Sequence, residues 1–360
     1  MQTDFVEILM PAYTTIAISQ AFNAFDELLD VRSPAEYADD HLPAAISVPV
    51  LNDDERARVG TLFKQVSPFA AKKQGAALIA RNIAHHVETV FSDRPKSWRP
   101  LVYCWRGGMR SGAMAHILAQ IGWKTSQLDG GYQSYRRSVL AALAILPVQF
   151  EFCVLNGATG SGKTSLLAAL AAQGAQVLDL EQLAQHRGSL LGKLPGQPQP
   201  SQKTFETRLW KALSSFTPQR PVYIEAESRK IGAVDVPAAL HERMRASACV
   251  RLEAPQQARV ALLMHDYAHF LQNPLLLSER LSLLTALHGR VVIERWCEMA
   301  SQREWEPLVA ALLNQHYDPA YQRSADAGFA QLPQAQVLQL PALDAGTLQQ
   351  AAANLIGNER

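Results

Sequence analysis

The chain has 360 residues, enough for two domains that each bury a core. Its composition, 48% hydrophobic and 19% charged, is that of a globular protein, and 34 basic against 33 acidic side chains leave a net charge of +1, which excludes the overall basic field of a non-specific nucleic-acid binder. The opening MQTDFVEILMPAY lacks the regions of a signal peptide, no apolar run reaches the roughly 18 residues of a membrane span, and Cys104, Cys153, Cys249 and Cys297 form no CxxC pair, so a cytoplasmic protein with reduced thiols is expected, with neither a membrane nor DNA as partner.

In chain order, FDELLDVRS predicts a helix end running into a buried strand. A long polar segment at about 52–98 (ERARVGTLFKQ, AALIARNIAHHVETVF) predicts a helical insertion. LVYC at 101–104 is a strand, and SGAMAHILAQIGW is a helix stopped by Gly122. This βα punctuation predicts an α/β domain with a mainly parallel sheet over 1–147, ending at Pro147. A second α/β domain follows over 148–360, with strands in FCVLNG, AQVLDL, PVYIEAE and CVRLEA and an almost wholly helical part from Pro255. The Pro-, Gly- and Gln-rich GKLPGQPQPSQKT predicts a mobile loop.

Gly157-Ala-Thr-Gly160-Ser-Gly162-Lys163-Thr164 fits GxxxxGK[ST] between a strand and a helix, the context that motif requires. Glycines let consecutive N–H groups turn inward on phosphate oxygens, the helix N-terminus adds partial positive charge, and Lys163 supplies a mobile cation. Thr164 is the expected Mg²⁺ contact of such a loop, so Mg²⁺ is a candidate there; no resident metal or tightly bound cofactor is expected elsewhere. Glu225 and Glu227, ending PVYIEAE, and Asp179, ending AQVLDL, are the candidate partner acids.

Cys104-Trp-Arg106-Gly-Gly-Met-Arg110-Ser111 also lies between a strand and a helix. Backbone N–H groups, the helix dipole, Arg106 and Arg110 all favour a thiolate, which makes Cys104 the candidate nucleophile in an anion cradle. Single-domain sulfurtransferases commonly carry CxxGxR; the spacing here, C-x5-R, is one residue longer, is shared with cysteine phosphatases, and suits a phosphate-sized donor or selenium. The other three cysteines sit in apolar surroundings and are expected to be inert.

Asp30-Val-Arg-Ser-Pro, Glu36-Tyr and His41-Leu-Pro-Ala44-Ala resemble the DVR-P-EF…HIPGA signature of rhodanese domains, with Ala44 where glycine is common. Gly130-Gly131-Tyr132 extends the match. With the P-loop, Asp179-Leu-Glu…His186-Arg187-Gly188-Ser189, Glu225-Ala-Glu-Ser-Arg229-Lys-Ile-Gly232 and His316-Tyr-Asp-Pro-Ala-Tyr, nearly the whole chain resembles the tRNA 2-selenouridine synthases. The resemblance implies a rhodanese-like domain joined to a P-loop NTPase-like α/β domain with a helical C-terminal part. It implies conversion of 2-thiouridine at the tRNA wobble position (U34) to 2-selenouridine, through S-geranylation by geranyl diphosphate and selenation by selenophosphate. The P-loop would hold the departing diphosphate, and Cys104 would take selenium from selenophosphate and deliver it to C2. The alternatives are a thiosulfate sulfurtransferase with an accessory nucleotide-binding domain, a phosphatase, and a P-loop kinase or RNA-binding module. Candidate tRNA contacts are Arg136-Arg137, Arg187 and Arg229-Lys230, with Tyr132 or Tyr135 as stacking platforms for a splayed base.

Overall fold

Short apolar runs, each too brief to stand alone, find parallel neighbours in two separate sheets. The computed structural model describes residues 13–20, 24–189, 191–193 and 196–357, with backbone alone for 324–327. It divides into two units, Met1–Ala142 and Leu143–Arg360.

In the first unit, β1 (Thr14–Ile16), β2 (Glu27–Asp30), β3 (Ala45–Ser47), β4 (Pro100–Tyr103) and β5 (Ser126–Leu128) form a sheet in the order β1-β5-β4-β2-β3. All of its pairings are parallel. β4 is buried along its whole length, which is why LVYC reads as a continuous apolar run. Phe25 and Asp26 are not a helix end but lead into β2, whose pairing with both β3 and β4 overrides the local preference. Residues 21–23 lie outside the described residues. Helices Asp53–Gln65 and Pro68–Thr89 stand between β3 and β4. Helix Met109–Ile121 follows the cysteine loop and ends on Gly122 in the left-handed conformation. Its Met114, Ala115 and Leu118 pack with Leu29, Val31 and Val102 in the core.

Helix Gly131–Ile145 leads to a 3₁₀ turn at Leu146–Gln149 containing Pro147. The second unit then builds on β6 (Phe152–Gly157), β7 (Gln176–Leu178), β8 (Val222–Glu225), a small hairpin of β9 (Lys230–Ile231) and β10 (Val234–Asp235), β11 (Ala248–Glu253) and β12 (Gln336–Gln339). The five-stranded sheet runs β12-β11-β6-β8-β7, all parallel, with β6 central. β12 interrupts the almost wholly helical stretch expected from Pro255. It is a short, mostly exposed edge strand paired with β11, so its sequence carries little apolar signal. Helix Gln202–Ser214, capped by Ser201, likewise begins inside the segment expected to be a loop; Leu194 and Pro195 of that segment lie outside the described residues. A helical lobe packs around Phe270, Leu281, Trp296 and Leu308. Within it, helix Trp305–Leu312 passes through a π-helical turn, Leu313–Tyr317, into helix Asp318–Gly328.

Candidate active site

Parallel strands present their loops at the carboxyl end, and both cradles arise there. β4 ends at Tyr103, and the next residue is Cys104, only 3% exposed. Its Sγ accepts the Gly108 N–H at 3.3 Å and the Ser111 hydroxyl at 3.1 Å. Gln127, on β5, donates to the carbonyls of Gly107 and Gly108 and to the Ser111 oxygen (2.7 Å), bracing the loop from below. Gly131 has to be glycine: a Cβ would stand 2.2 Å from the Cys104 carbonyl oxygen and 2.5 Å from the Gly107 nitrogen. That close approach lets the Tyr132 N–H bond the Cys104 carbonyl at 2.8 Å.

The two arginines of this loop behave differently. Arg106 is exposed and donates to Gln133. Arg110 is paired with Glu36 at 2.7 Å, and Arg56 approaches the same carboxylate at 3.0 Å. Burial pushes the Glu36 carboxyl up, but the Arg110 guanidinium prevails and holds it below its ordinary value. Arg110 therefore reaches the cradle as half of an ion pair rather than as an uncompensated charge.

In the second unit the P-loop follows β6, and helix Lys163–Ala172 starts on its lysine. Lys163 Nζ donates to the carbonyl of Gly157 at 2.7 Å. Burial lowers its pKa, against the pull of Glu227, Glu181 and Glu225. Arg259 clamps the loop: it donates twice to the Thr159 carbonyl (3.0 and 2.8 Å) and twice to Asp318 (2.6 and 3.1 Å).

A group of acids faces the lysine. Glu225 is buried, accepts the Glu181 N–H at 2.9 Å through one oxygen, and leaves the other without a protein partner. Asp179 caps the short helix Leu180–Ala184 through the Gln182 N–H. Glu181 approaches the Thr164 hydroxyl at 3.3 Å. Gly188 lies so close that an added Cβ would sit 2.8 Å from Glu227 and 3.1 Å from Glu181. Desolvation raises all four acids, Glu181 to about 8, as expected for carboxyls crowded away from water. Among the described residues no cluster of three or more His, Cys, Asp or Glu has the geometry of a metal cage.

A cavity of about 910 Å³ is lined by Lys163, Thr164, Glu181, Glu227, Arg187 and His316 among others. A narrower apolar slot of about 60 Å³ adjoins it, sharing Thr159, Leu263, Tyr267 and Tyr317 and running in among Phe270, Leu277, Leu308 and Leu312.

The comparisons with known proteins agree with this architecture. The rhodanese-like domain family matches residues 17–138, and the family described as the tRNA 2-selenouridine synthase AAA domain matches residues 150–280. A protein of Hydrogenovibrio crunogenus named tRNA 2-selenouridine synthase is 32% identical over 321 residues, covering 82% of this chain and 88% of the relative. The chain belongs to the tRNA 2-selenouridine synthase family. Proteins with the same name from Nitrosomonas europaea and Bdellovibrio bacteriovorus are 34% and 35% identical, covering 69% and 67% of this chain. The matches span 66% and 64% of those two relatives, just under two thirds of their length.

Several residues read from the sequence are brought together in this family member, and others are not. Gly157, Gly160, Gly162, Lys163 and Thr164 line one cavity with Glu227, Arg187 and Arg229. Arg187 donates to the Asp266 carbonyl at 2.5 Å and lies over the Tyr267 ring, so much of its hydrogen-bonding capacity is engaged within the fold. Arg137, Arg229 and Lys230 are exposed and Arg136 is half-buried. Tyr132 and Tyr135 are each 1% exposed, and the Tyr132 hydroxyl is bonded to Asp40, so neither ring is a platform for a base. The accessible ring beside them is Trp105, stacked on Tyr132. Gln127 at the cysteine and Arg259 of the clamp were not singled out from the sequence, and Ser111, Glu181 and Asp318, though inside quoted motifs, had no role assigned. For Glu181 a signal existed, an acid in the first turn after β7.

Proposed function

We propose that this protein, acting in the cytoplasm, converts 2-thiouridine at the wobble position of tRNA to 2-selenouridine. S-geranylation by geranyl diphosphate comes first, followed by replacement of the S-geranyl group using selenophosphate. One observation carries the reading: the phosphate cradle opens directly into an apolar slot, the two halves of a site for a diphosphate with a hydrocarbon tail. A plain nucleotide site has no use for a slot walled by Leu263, Met264, Phe270 and Leu271. At about 60 Å³ the slot takes the distal end of a ten-carbon chain, while the rest of the molecule lies in the wider cavity.

Alkylation of the thiocarbonyl sulfur makes C2 of the uracil more electrophilic and gives the sulfur a route out as a thiol. Lys163 and the P-loop amides stabilise the departing diphosphate. Where Mg²⁺ enters with the diphosphate, Thr164 and Glu181 are the side chains placed to hold it, and its charge would ease ionisation of the crowded acids. The Gly108 N–H and Ser111 hydroxyl aimed at Cys104 suit an anionic sulfur handling the selenium donor. The exposed arginines and Lys230 supply local phosphate contacts to tRNA.

The test is to supply thiolated tRNA with each donor separately and resolve the products by mass. Cys104→Ser is expected to accumulate S-geranyl tRNA and form no 2-selenouridine. Lys163→Ala is expected to lose geranylation, by roughly 2–4 kcal/mol of transition-state stabilisation. Normal selenation by Cys104→Ser, or geranylation that requires ATP, would overturn the assignment.

A further inference from the structure

S-alkylation of a 2-thiouracil creates a proton that has to leave. Attack by the neutral thiocarbonyl gives a cation, and only loss of the N3 proton yields the neutral S-alkyl product. A base is therefore wanted where the sulfur meets C1 of the allylic diphosphate. C1 joins the diphosphate to its tail, so it belongs at the junction of cavity and slot, which Thr159, Leu263, Tyr267 and Tyr317 line.

His316 lines the cavity immediately beside Tyr317. It is carried by the π-helical turn Leu313–Tyr317, an extra-residue turn that re-aims side chains within an otherwise continuous helix and recurs at functional sites. Its Nδ1 is 3.0 Å from Nε2 of His288, which comes from another helix 28 residues away and packs against Trp296. The charged or titratable neighbours acting on His316 are His288 and Arg323, while Arg187 and Asp266 line the same cavity. Burial, then His288 and Arg323, lower its pKa below the ordinary histidine value, so it is neutral and able to accept a proton at neutral pH.

We propose that His316 is the general base of the geranylation step and that His288 is the positioning residue that sets its tautomer. With the Nδ1–H of His316 donated to Nε2 of His288, Nε2 of His316 is the nitrogen left to accept a proton. The sulfur–C1 bond forms as the C1–oxygen bond breaks, the electron pair leaves with the diphosphate, and the N3 proton passes to Nε2 of His316. The resulting imidazolium keeps its hydrogen bond to His288. Structurally this is an orienting group behind a base, built here from two histidines.

The inference rests on the geranylation reading, and one experiment separates the two. Geranylation of thiolated tRNA by the full chain is followed with geranyl diphosphate, and pyrophosphate binding is measured beside it as a check on the P-loop fold. His316→Ala is expected to slow geranylation by about 100-fold or more with unchanged pyrophosphate affinity. The loss should shrink when imidazole is added, and shrink again as pH rises through the ionisation of the thiouracil N3–H, because the substrate then needs no base. His288→Phe should lower kcat about 10-fold at constant KM, with His288→Gln, which retains an acceptor, recovering most of it. If His316→Ala stays within threefold of the parent, or loses activity that neither imidazole nor high pH restores, the assignment of the base is wrong while the geranylation reading stands. A parent protein that forms no S-geranyl product sinks that reading, and this inference with it.

Discussion

Arg259→Met tests whether the P-loop is held in shape from the helical lobe. Arg259 is 9% exposed and ties the Thr159 carbonyl to Asp318 through four hydrogen bonds of 2.6–3.1 Å. Removing one member of a buried ion pair costs about 3–5 kcal/mol, because the partner is left uncompensated. The Asp318 side chain is 26% exposed and water reaches it, so the lower end applies to the pair. The stranded Thr159 carbonyl adds about 1 kcal/mol, and the total comes to roughly 4 kcal/mol. Hydrogen exchange read on peptides of 143–360 is the appropriate assay, since a two-domain chain need not unfold in one step. The double variant Arg259→Met/Asp318→Asn should be less destabilised than the sum of the single ones by about 1–2 kcal/mol. Pyrophosphate affinity should fall alongside stability, because the same bonds place the loop. A variant within 0.5 kcal/mol of the parent (a threshold set by roughly ordinary surface substitutions) that also binds pyrophosphate normally would refute the clamp.

Ala44 holds φ at +65°, a left-handed conformation that favours glycine, so Ala44→Gly should stabilise the first unit by about 1 kcal/mol in urea unfolding; no gain would mean the strain is absent. Burial raises Glu181 to about 8 and also raises Glu225 and Glu227, so the folded state holds protons that the unfolded chain releases. Their contribution to stability is full below about pH 4.5 and is lost as pH rises toward 8. Exchange-derived stability of 143–360 should accordingly fall between pH 6 and 9, and Glu181→Gln should flatten that fall; an unchanged slope would show that Glu181 ionises normally. Arg136→Ala/Arg137→Ala and Arg229→Ala/Lys230→Ala should each reduce the slope of log tRNA affinity against log salt by about 1 for every phosphate no longer neutralised. If both double variants keep the parent slope, tRNA docks elsewhere.

The sequence alone was enough for whatever is built from consecutive residues. A glycine-rich turn between a strand and a helix is specified by its own neighbours, so both the P-loop and the Cys104 loop were legible, as were the central strands β4, β6, β8 and β11. The three-residue strand β3 and the exposed edge strand β12 carry too few buried side chains to show a period. Tyr132, Tyr135 and Val139 follow a helical repeat and form one buried face of helix Gly131–Ile145, with Arg137 turned outward. Read residue by residue, that stretch looked instead like aromatics exposed among arginines. Everything that depends on distant partners was decided by tertiary structure alone. Gln127 reaches the cysteine loop from β5, Glu36 neutralises Arg110 from 74 residues away, and Asp318 meets Arg259 across 59 residues. His288 and His316 meet across 28. A charge or hydrogen-bond donor is visible in the sequence wherever it stands, but whether it is paired or aimed into a cavity follows from which elements pack together.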